Sequence, residues 1–246
     1  MSDAIRITVS KTAGSAPRDA GTQMLVWADR TEGTIGGGTL EWEAMAEARR
    51  MLRDGRATHQ ATIPLGPALG QCCGGSVSLH WEMADALEPP STQPLWIYGA
   101  GHVGRAIVSV MAPLPAFDIT WIDTAANRFP VTDTTTLIAA DPARVVAHAP
   151  QDAHHLILTY SHEIDLALCH AVLSHRFASV GLIGSATKWV RFKRRLAALG
   201  HDTAQIARIA CPIGDPSLGK HPAEIALGVA TAMIAQQSRL GKERTA

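Results

Sequence analysis

The sequence predicts an α/β protein in two parts: a small N-terminal α+β domain, then a doubly wound parallel sheet. Three observations predict this. The stretch ADALEPPSTQP, residues 84–94, carries three prolines and few apolar residues, which reads as a break between domains. Before it, short alternating segments surround one amphipathic helix. After it, apolar runs of strand length alternate with helical ones, the pattern of a parallel sheet covered on both faces. The boundaries are a first domain at 1–85, a linker at 86–94, a second domain at 95–236 and a fraying tail at 237–246.

In the first domain, IRITVS (5–10) alternates apolar and polar residues as a half-buried strand does, and QMLVWA (23–28) is a second candidate. TLEWEAMAEARRMLRDG (39–55) sets Leu40, Ala44, Ala48, Met51 and Leu52 on one helical face, with Gly55 placed as a C-cap. ATHQATIPL (57–65) and SVSLHWEM (76–83) read as two more strands, connected through LGQCCGG (69–75).

In the second domain, LWIYGA (95–100), FDITWID (117–123), HLILTY (155–160) and ASVGLIG (178–184) read as strands. VGRAIVSVMA (103–112), EIDLALCHAVLSH (163–175), KWVRFKRRLAALG (188–200) and PAEIALGVATAMIAQQ (222–237) read as helices. Cys169 falls on the apolar side of its helix and is expected in the core, whereas Cys211 is ambiguous. His154, His155, His170 and His175 are expected at the surface.

Composition excludes several classes. Of 246 residues, 46% are hydrophobic and 18% charged, which is enough apolar material for a core. Lys plus Arg equals Asp plus Glu at 22 each, so no basic field exists to hold nucleic acid or a membrane surface. MSDAIRITVSK has no basic region followed by an apolar run, and no window reaches the ~18 apolar residues of a membrane span. The expectation is a cytoplasmic protein with reduced thiols. A homodimer is one assembly the sequence allows.

The strand LWIY runs into GAGHVG: Gly99, Gly101, His102 and Gly104 in a GxGxxG arrangement that opens a helix. Such a Rossmann-like loop brings backbone N–H groups and a helix N-terminus against a phosphate. The same glycines would also serve close helix–strand packing. Asp123 ends the next strand, where a ribose-binding acid belongs, or is an ordinary strand-end residue. In GLIGSATK, Ser185 can cap a helix whose first turns hold Lys188 and Arg191; cations there are unfavourable unless they meet an anion. His162 and Asp165, three apart beside a strand end, could orient an imidazole or hold a metal.

Two of the four cysteines, Cys72 and Cys73, are adjacent, between Gln71 and the pair Gly74 and Gly75. Zinc sites space their cysteines by two or more residues, and no CxxC occurs. Flanking glycines leave sulfurs accessible and offer N–H groups that stabilise a thiolate. Gly36, Gly37 and Gly38 directly precede the first helix, and Arg18 lies on a turn. Glycine loops, a cation and soft thiols suit a ligand with both a phosphate and a soft metal or sulfur. The bland alternative is a pair of buried turn cysteines.

In this order, GSAPRDAGTQMLV (14–26), TIGGGTLE (34–41), LGQCCGG (69–75), IYGAGHVGRA (97–106), SHEIDLALCHAVL (161–173), GLIGSATK (181–188) and GKHPAEIALGVA (219–230) resemble the XdhC/CoxI family of xanthine dehydrogenase accessory proteins. The resemblance covers nearly the whole chain. It implies a chaperone for molybdenum cofactor (molybdopterin) rather than an enzyme. Such a chaperone binds the cofactor, protects it from oxidation and presents it to a cysteine desulfurase for sulfuration. It then helps insert it into the molybdenum subunit of xanthine dehydrogenase or a related molybdenum hydroxylase. The implied contacts are Cys72 and Cys73 toward molybdenum or its sulfur, with the glycine loops toward phosphate. The chain departs from the family pattern in having no helix before its first strand, and in Tyr160, where the pattern has His. Two other functions compete: an NAD(P)-dependent oxidoreductase using GAGHVG and Asp123, and a persulfide carrier working through Cys72 or Cys73.

Overall fold

The computed structural model describes residues 3–66, 74–89 and 92–244, with side chains to residue 237. The chain divides into two compact units, Met1–Pro89 and Pro90–Ala246.

The first unit is a five-stranded antiparallel sheet. Its strands are β1 (Ile5–Ala13), β2 (Gln23–Val26), β3 (Thr31–Gly33), β4 (Thr58–Pro64) and β5 (Ser76–Met83), in the order β3-β2-β1-β5-β4. Helix α1 (Gly38–Asp54) covers one face, burying Leu40, Ala44, Ala48 and Met51 with Ile5, Ile7, Val9 and Trp81. The Trp81 indole N–H donates to the Ala44 carbonyl at 3.0 Å, fixing helix to sheet. Gly55 ends α1 in the left-handed region, φ 67°. β3, not foreseen, is three exposed residues with no apolar alternation to betray it. The boundary between the units, after Pro89, falls inside the expected linker, and residues within it contact the first sheet. Glu88 pairs with Arg6 at 2.8 Å, and its N–H donates to the Gln23 side chain.

The second unit is a six-stranded parallel sheet. Its strands are β6 (Gln93–Tyr98), β7 (Phe117–Asp123), β8 (Thr135–Ile138), β9 (His154–Ile157), β10 (Ser179–Leu182) and β11 (Ile209–Ala210), in the order β11-β10-β9-β6-β7-β8. The order reverses between β6 and β9, the switch point beside which such sheets bind ligands. Helices α2 (His102–Met111) and α7 (Pro222–Arg244) cover one face; α4 (His162–Leu173) and α5 (Ala186–Ala198) cover the other. Two short helices complete the unit, α3 (Pro142–Val145) and α6 (Thr203–Ala207). Successive residues of β6 serve opposite cores: Leu95 and Ile97 join α2 and α7, while Trp96 and Tyr98 join α4 and α5.

This two-sided burial corrects two expectations. His154 and His155 are not surface residues; they are 3% and 0% exposed, because adjacent residues of an inner parallel strand both face a core. His154 bonds the Ser179 hydroxyl at 2.7 Å and the Gln93 amide oxygen at 2.8 Å. His155 Nδ1 meets the Tyr98 hydroxyl at 3.1 Å. Helix α7 runs on to Arg244. The strand expected from Leu95 begins at Gln93. Cys169 is fully buried, as its helical position foretold.

Candidate functional site

In the second unit, β6 ends at the glycine loop. Gly99 has φ +120°, and a Cβ there would strike the Leu158 carbonyl just past neighbouring β9. A Cβ on Gly104 would strike the Gly99 carbonyl and come within 3.0 Å of Leu158. Both are packing glycines. Gly101 differs: a Cβ there would meet nothing within 4 Å. Gly101 is also the N-cap of α2 and no side chain caps that end. The ten-residue helix therefore presents unclaimed N–H groups to open space beside the switch point, an arrangement that suits a phosphate. His102 is the first helical residue, exposed at the same end.

The wall of this space is built by arginines that sequence spacing did not flag. Arg105 Nε donates to the Ala100 carbonyl at 3.0 Å, and its Nη2 donates to the Arg128 carbonyl at 2.6 Å. A cavity of about 270 Å³ is lined by Ala100, Gly101, His102, Arg105, Asn127 and Arg128. Arg128 pairs with Asp123 at 2.7 Å and stacks on the Tyr160 ring, 4.4 Å from its centroid. The Asp123 pair is a charge contact only; the Nε–H does not point along a hydrogen bond.

Asp123 is already employed. Its Oδ2 accepts from the Ala100 N–H at 2.6 Å, and its Oδ1 accepts from the Thr124 N–H at 2.6 Å. With Arg128 added, both oxygens are engaged and the residue is 3% exposed. Asp123 thus holds the glycine loop in shape, and a ribose could reach it only by displacing these partners.

Along the same carboxyl edge, β9 and β10 deliver a second cluster. Ser185 caps α5 by accepting from the Lys188 N–H at 3.2 Å. The Lys188 ammonium donates to Asp165 Oδ2 at 2.6 Å and to the Ile183 carbonyl at 2.8 Å. Asp165 Oδ1 accepts from the Thr159 hydroxyl at 2.7 Å and the Thr159 N–H at 3.0 Å. The partners of Asp165 are therefore Thr159 and Lys188, not His162. His162 is exposed, and its ring stands edge-on to Phe192, whose other neighbour is the Lys188 ammonium at 5.1 Å. Lys188 and His162 thus share Phe192; in the sheet order His162 follows β9, next to the β6 that ends at the Gly101 loop, and Lys188 follows β10, one strand further.

Cys211 lies beside this cluster, its sulfur 4.0 Å from the Gly184 carbonyl. Burial pushes its thiol up, against the opposing pull of Lys188, and burial pushes Cys169 further still. Neither is poised as a thiolate nucleophile.

In the first unit, Gly36, Gly37 and Gly38 all have positive φ, at 128°, 73° and 66°. Their loop already holds an anion. One carboxylate oxygen of Glu41, in the first turn of α1, accepts from the Ile35 N–H and Gly37 N–H at 3.0 Å each and from the Thr34 hydroxyl. Burial alone would raise its pKa, but these donors hold it below the usual carboxylate value. A Cβ on Gly36 would fall 2.8 Å from the Pro17 ring, so this loop packs on the turn bearing exposed Arg18. Gly74 bridges to Ser15, and a Cβ on Gly75 would strike the Ser15 and Ala13 carbonyls. The Leu65 N–H donates to the Gly75 carbonyl at 2.7 Å, bringing together the two ends of the segment that joins β4 to β5. Gln71, Cys72 and Cys73 belong to that segment and lie outside the described residues. Its Gly74–Gly75 end and the Gly36 loop both pack against residues 13–18.

The sequence signal for Glu41 was an acid in the first turn after a glycine loop, the place where a carboxylate reaches back to free N–H groups. Arg105, Arg128 and Thr159 had no such signal. Among the described residues no group of three His, Cys, Asp or Glu side chains could hold a metal, and no helix is long and apolar enough to cross a membrane.

Residues 95–233 match the XdhC Rossmann domain, and residues 2–63 match the XdhC and CoxI family. The uncharacterized protein YqeB of Escherichia coli (strain K12) is 32% identical over 224 residues, 88% of this chain and 40% of YqeB. The chain thus spans about two fifths of that relative's length. A crystal structure of a xanthine dehydrogenase from Bacillus halodurans superposes with a TM-score of 0.77 at 18% identity, covering 94% of this chain and 90% of that one, which shows a shared fold. With the XdhC Rossmann domain matched over more than half of the chain and residues 2–63 matched as well, the chain belongs to the XdhC and CoxI family.

Proposed function

We propose that this protein is an accessory factor for xanthine dehydrogenase or a related molybdenum hydroxylase, and that it binds molybdenum cofactor, holds it for sulfuration by a cysteine desulfurase and passes it to the molybdenum subunit. Family membership supports the accessory role. The observation that supports a phosphate-bearing ligand is Gly101: it alone of the three loop glycines leaves room, and the room lies before an uncapped helix N-terminus. When bound, the cofactor would supply molybdenum, its exchangeable sulfur and a phosphate. Gly101 and the α2 N–H groups would take the phosphate, with Arg105 and Arg128 screening its charge. Cys72 or Cys73 would face the metal or the sulfur, since soft thiolates suit both.

The residues fit unevenly. The α2 seat accepts an anion as it stands. The Gly36–Gly38 loop does not, because Glu41 takes the Ile35 and Gly37 N–H groups and the Thr34 hydroxyl takes that of Gly36. Arg18, His162, Ser185 and Lys188 are offered as further cofactor contacts. Of these, Lys188 keeps at most one donor free once Asp165 and Ile183 are served. The engaged Asp123 weighs against the nicotinamide oxidoreductase reading, which needs a free acid for the ribose.

The test is to purify the full chain from cells that make the cofactor and to measure molybdenum and pterin fluorescence per protein. Gly101→Val should lose cofactor at least tenfold with an unchanged melting temperature, because its side chain enters open space. Cys72→Ser and Cys73→Ser should lose retention, or retain cofactor but fail to yield active hydroxylase. Wild-type protein that carries neither molybdenum nor pterin, in cells that make the cofactor, would overturn the proposal.

A further inference from the structure

Helix α5 concentrates charge in a chain whose charges otherwise balance. It carries Lys188, Arg191, Lys193, Arg194 and Arg195 and no acid. Lys188 is buried on Asp165. The other four are exposed, and among the described residues none pairs with a carboxylate. Arg191 faces Arg194 and Arg195 at three- and four-residue spacing, where like charges repel. The helix dipole favours cations only in the last turn, which leaves Arg191 uncompensated.

Beside these cations runs an apolar groove of about 510 Å³ between α5 and α6. Trp189, Ala197, Ile206 and Ile209 line it, with Lys193 and Arg194 at its rim and no acid in its wall. The Lys193 ammonium stands 5.8 Å from the Trp189 ring centroid. An aromatic floor with an Arg at the edge is the make-up of a protein-binding hot spot, and Lys193 adds charge at the polar rim.

We propose that the α5–α6 face is a docking surface for an acidic amphipathic segment of a partner protein, whose apolar side chain enters the groove while flanking carboxylates meet Arg191, Lys193, Arg194 and Arg195. Nucleic acid fits less well: the chain has zero formal net charge, and phosphates gain nothing from an apolar slot. A membrane surface fits less well too, because the apolar face of α5, Phe192 and Leu196, is spent on the core. Taking the molybdenum subunit of the hydroxylase as that partner rests on the proposed function.

The test measures binding of the full chain to the cofactor-free molybdenum subunit at 50 and 300 mM salt. Two variants sit on the exposed surface, so the fold persists, which thermal melts verify. Arg191→Glu/Arg194→Glu/Arg195→Glu removes the charge, and Ala197→Phe fills the groove with the charge intact. The expected result is binding that weakens with salt and falls at least tenfold in each variant. Wild-type binding that both variants leave unchanged overturns the docking face and leaves the proposed function standing. No binding of wild type overturns delivery to this partner and the docking face together. Equal loss by the triple variant with no effect of Ala197→Phe, accompanied by salt-sensitive binding of a 20-base-pair duplex, assigns the patch to nucleic acid instead.

Discussion

Lys188→Met isolates the charge at the centre of the β9–β10 edge. The substitution keeps the length and apolar stem of the side chain and removes only the ammonium. Its partner Asp165 is buried, 1% exposed at the side chain, and Lys188 is itself only 10% exposed. An exposed ion pair would be worth about 0–1 kcal/mol, since water screens it. Removing one member of a buried pair costs about 3–5 kcal/mol instead, because the other charge stays behind without compensation. The Thr159 hydroxyl and N–H still donate to Asp165, which places the expected cost at the lower end, about 3 kcal/mol. At about 2–4 °C per kcal/mol for 150–250 residues, the melting temperature should drop by about 6–12 °C.

Asp165→Asn should cost a comparable amount by stranding the ammonium. The double variant, Lys188→Met with Asp165→Asn, should cost clearly less than the sum, since neither charge is left alone. Urea unfolding of the three variants and wild type, followed by circular dichroism, measures the cycle. Single variants that each lose less than about 1 kcal/mol, with additive effects in the double, would refute the reasoning and show that water reaches the pair.

Two other perturbations test particular contacts. Burial, with smaller contributions from nearby His175 and His154, holds His155 down to about 4. An unfolded histidine titrates near 6.5, so between about pH 6.5 and 4 the unfolded chain binds the proton first. Stability is therefore present above pH 6.5 and lost as pH falls through 4, by about 3 kcal/mol over that window. His155→Gln should flatten the slope by that amount; parallel pH profiles for variant and wild type would show that His155 does not titrate as a buried group. Glu41→Ala frees the Ile35 and Gly37 N–H groups and should cost about 2 kcal/mol. Added sulfate should then raise the variant's melting temperature more than the wild type's; an equal response in both would show that Glu41 does not sit in an anion seat.

The parallel sheet was legible because its strands are continuous apolar runs and its long helices have clear periodicity. Elements escaped where no pattern existed to read. β3 is three exposed residues, β8 is Thr135–Ile138 with a single half-buried position, and β11 is two residues held by pairing with β10. The histidines misled for the opposite reason. His154 and His155 look like surface residues one at a time, and only the neighbours β6 and β10 on either side of β9 force both inward. At the site, positions came through better than partnerships. Asp165 and Lys188 stood out separately, but their bond spans 23 residues and depends on α4 and α5 meeting over β9 and β10. His162 was the nearer candidate in sequence, and the fold turns it to Phe192 instead.

The two glycine loops show why residue type and spacing stop short of a site. Both precede a helix, and by sequence both read as phosphate seats. What separates them is whether the N–H groups are already spent. In the first unit the chain supplies its own carboxylate, Glu41, from within the helix that the loop introduces, so an incoming anion must displace a bonded and charged group. In the second unit the chain supplies an acid too, but Asp123 reaches only Ala100, one residue short of the helix N-cap. That bond fixes the loop without filling the space in front of α2. An acid that binds the loop's shoulder organises a site, whereas an acid that binds its centre closes one. On this distinction the loop at Gly101 is the one that leaves open space before its helix. The glycine triplet of the first unit, by contrast, is filled from within by Glu41.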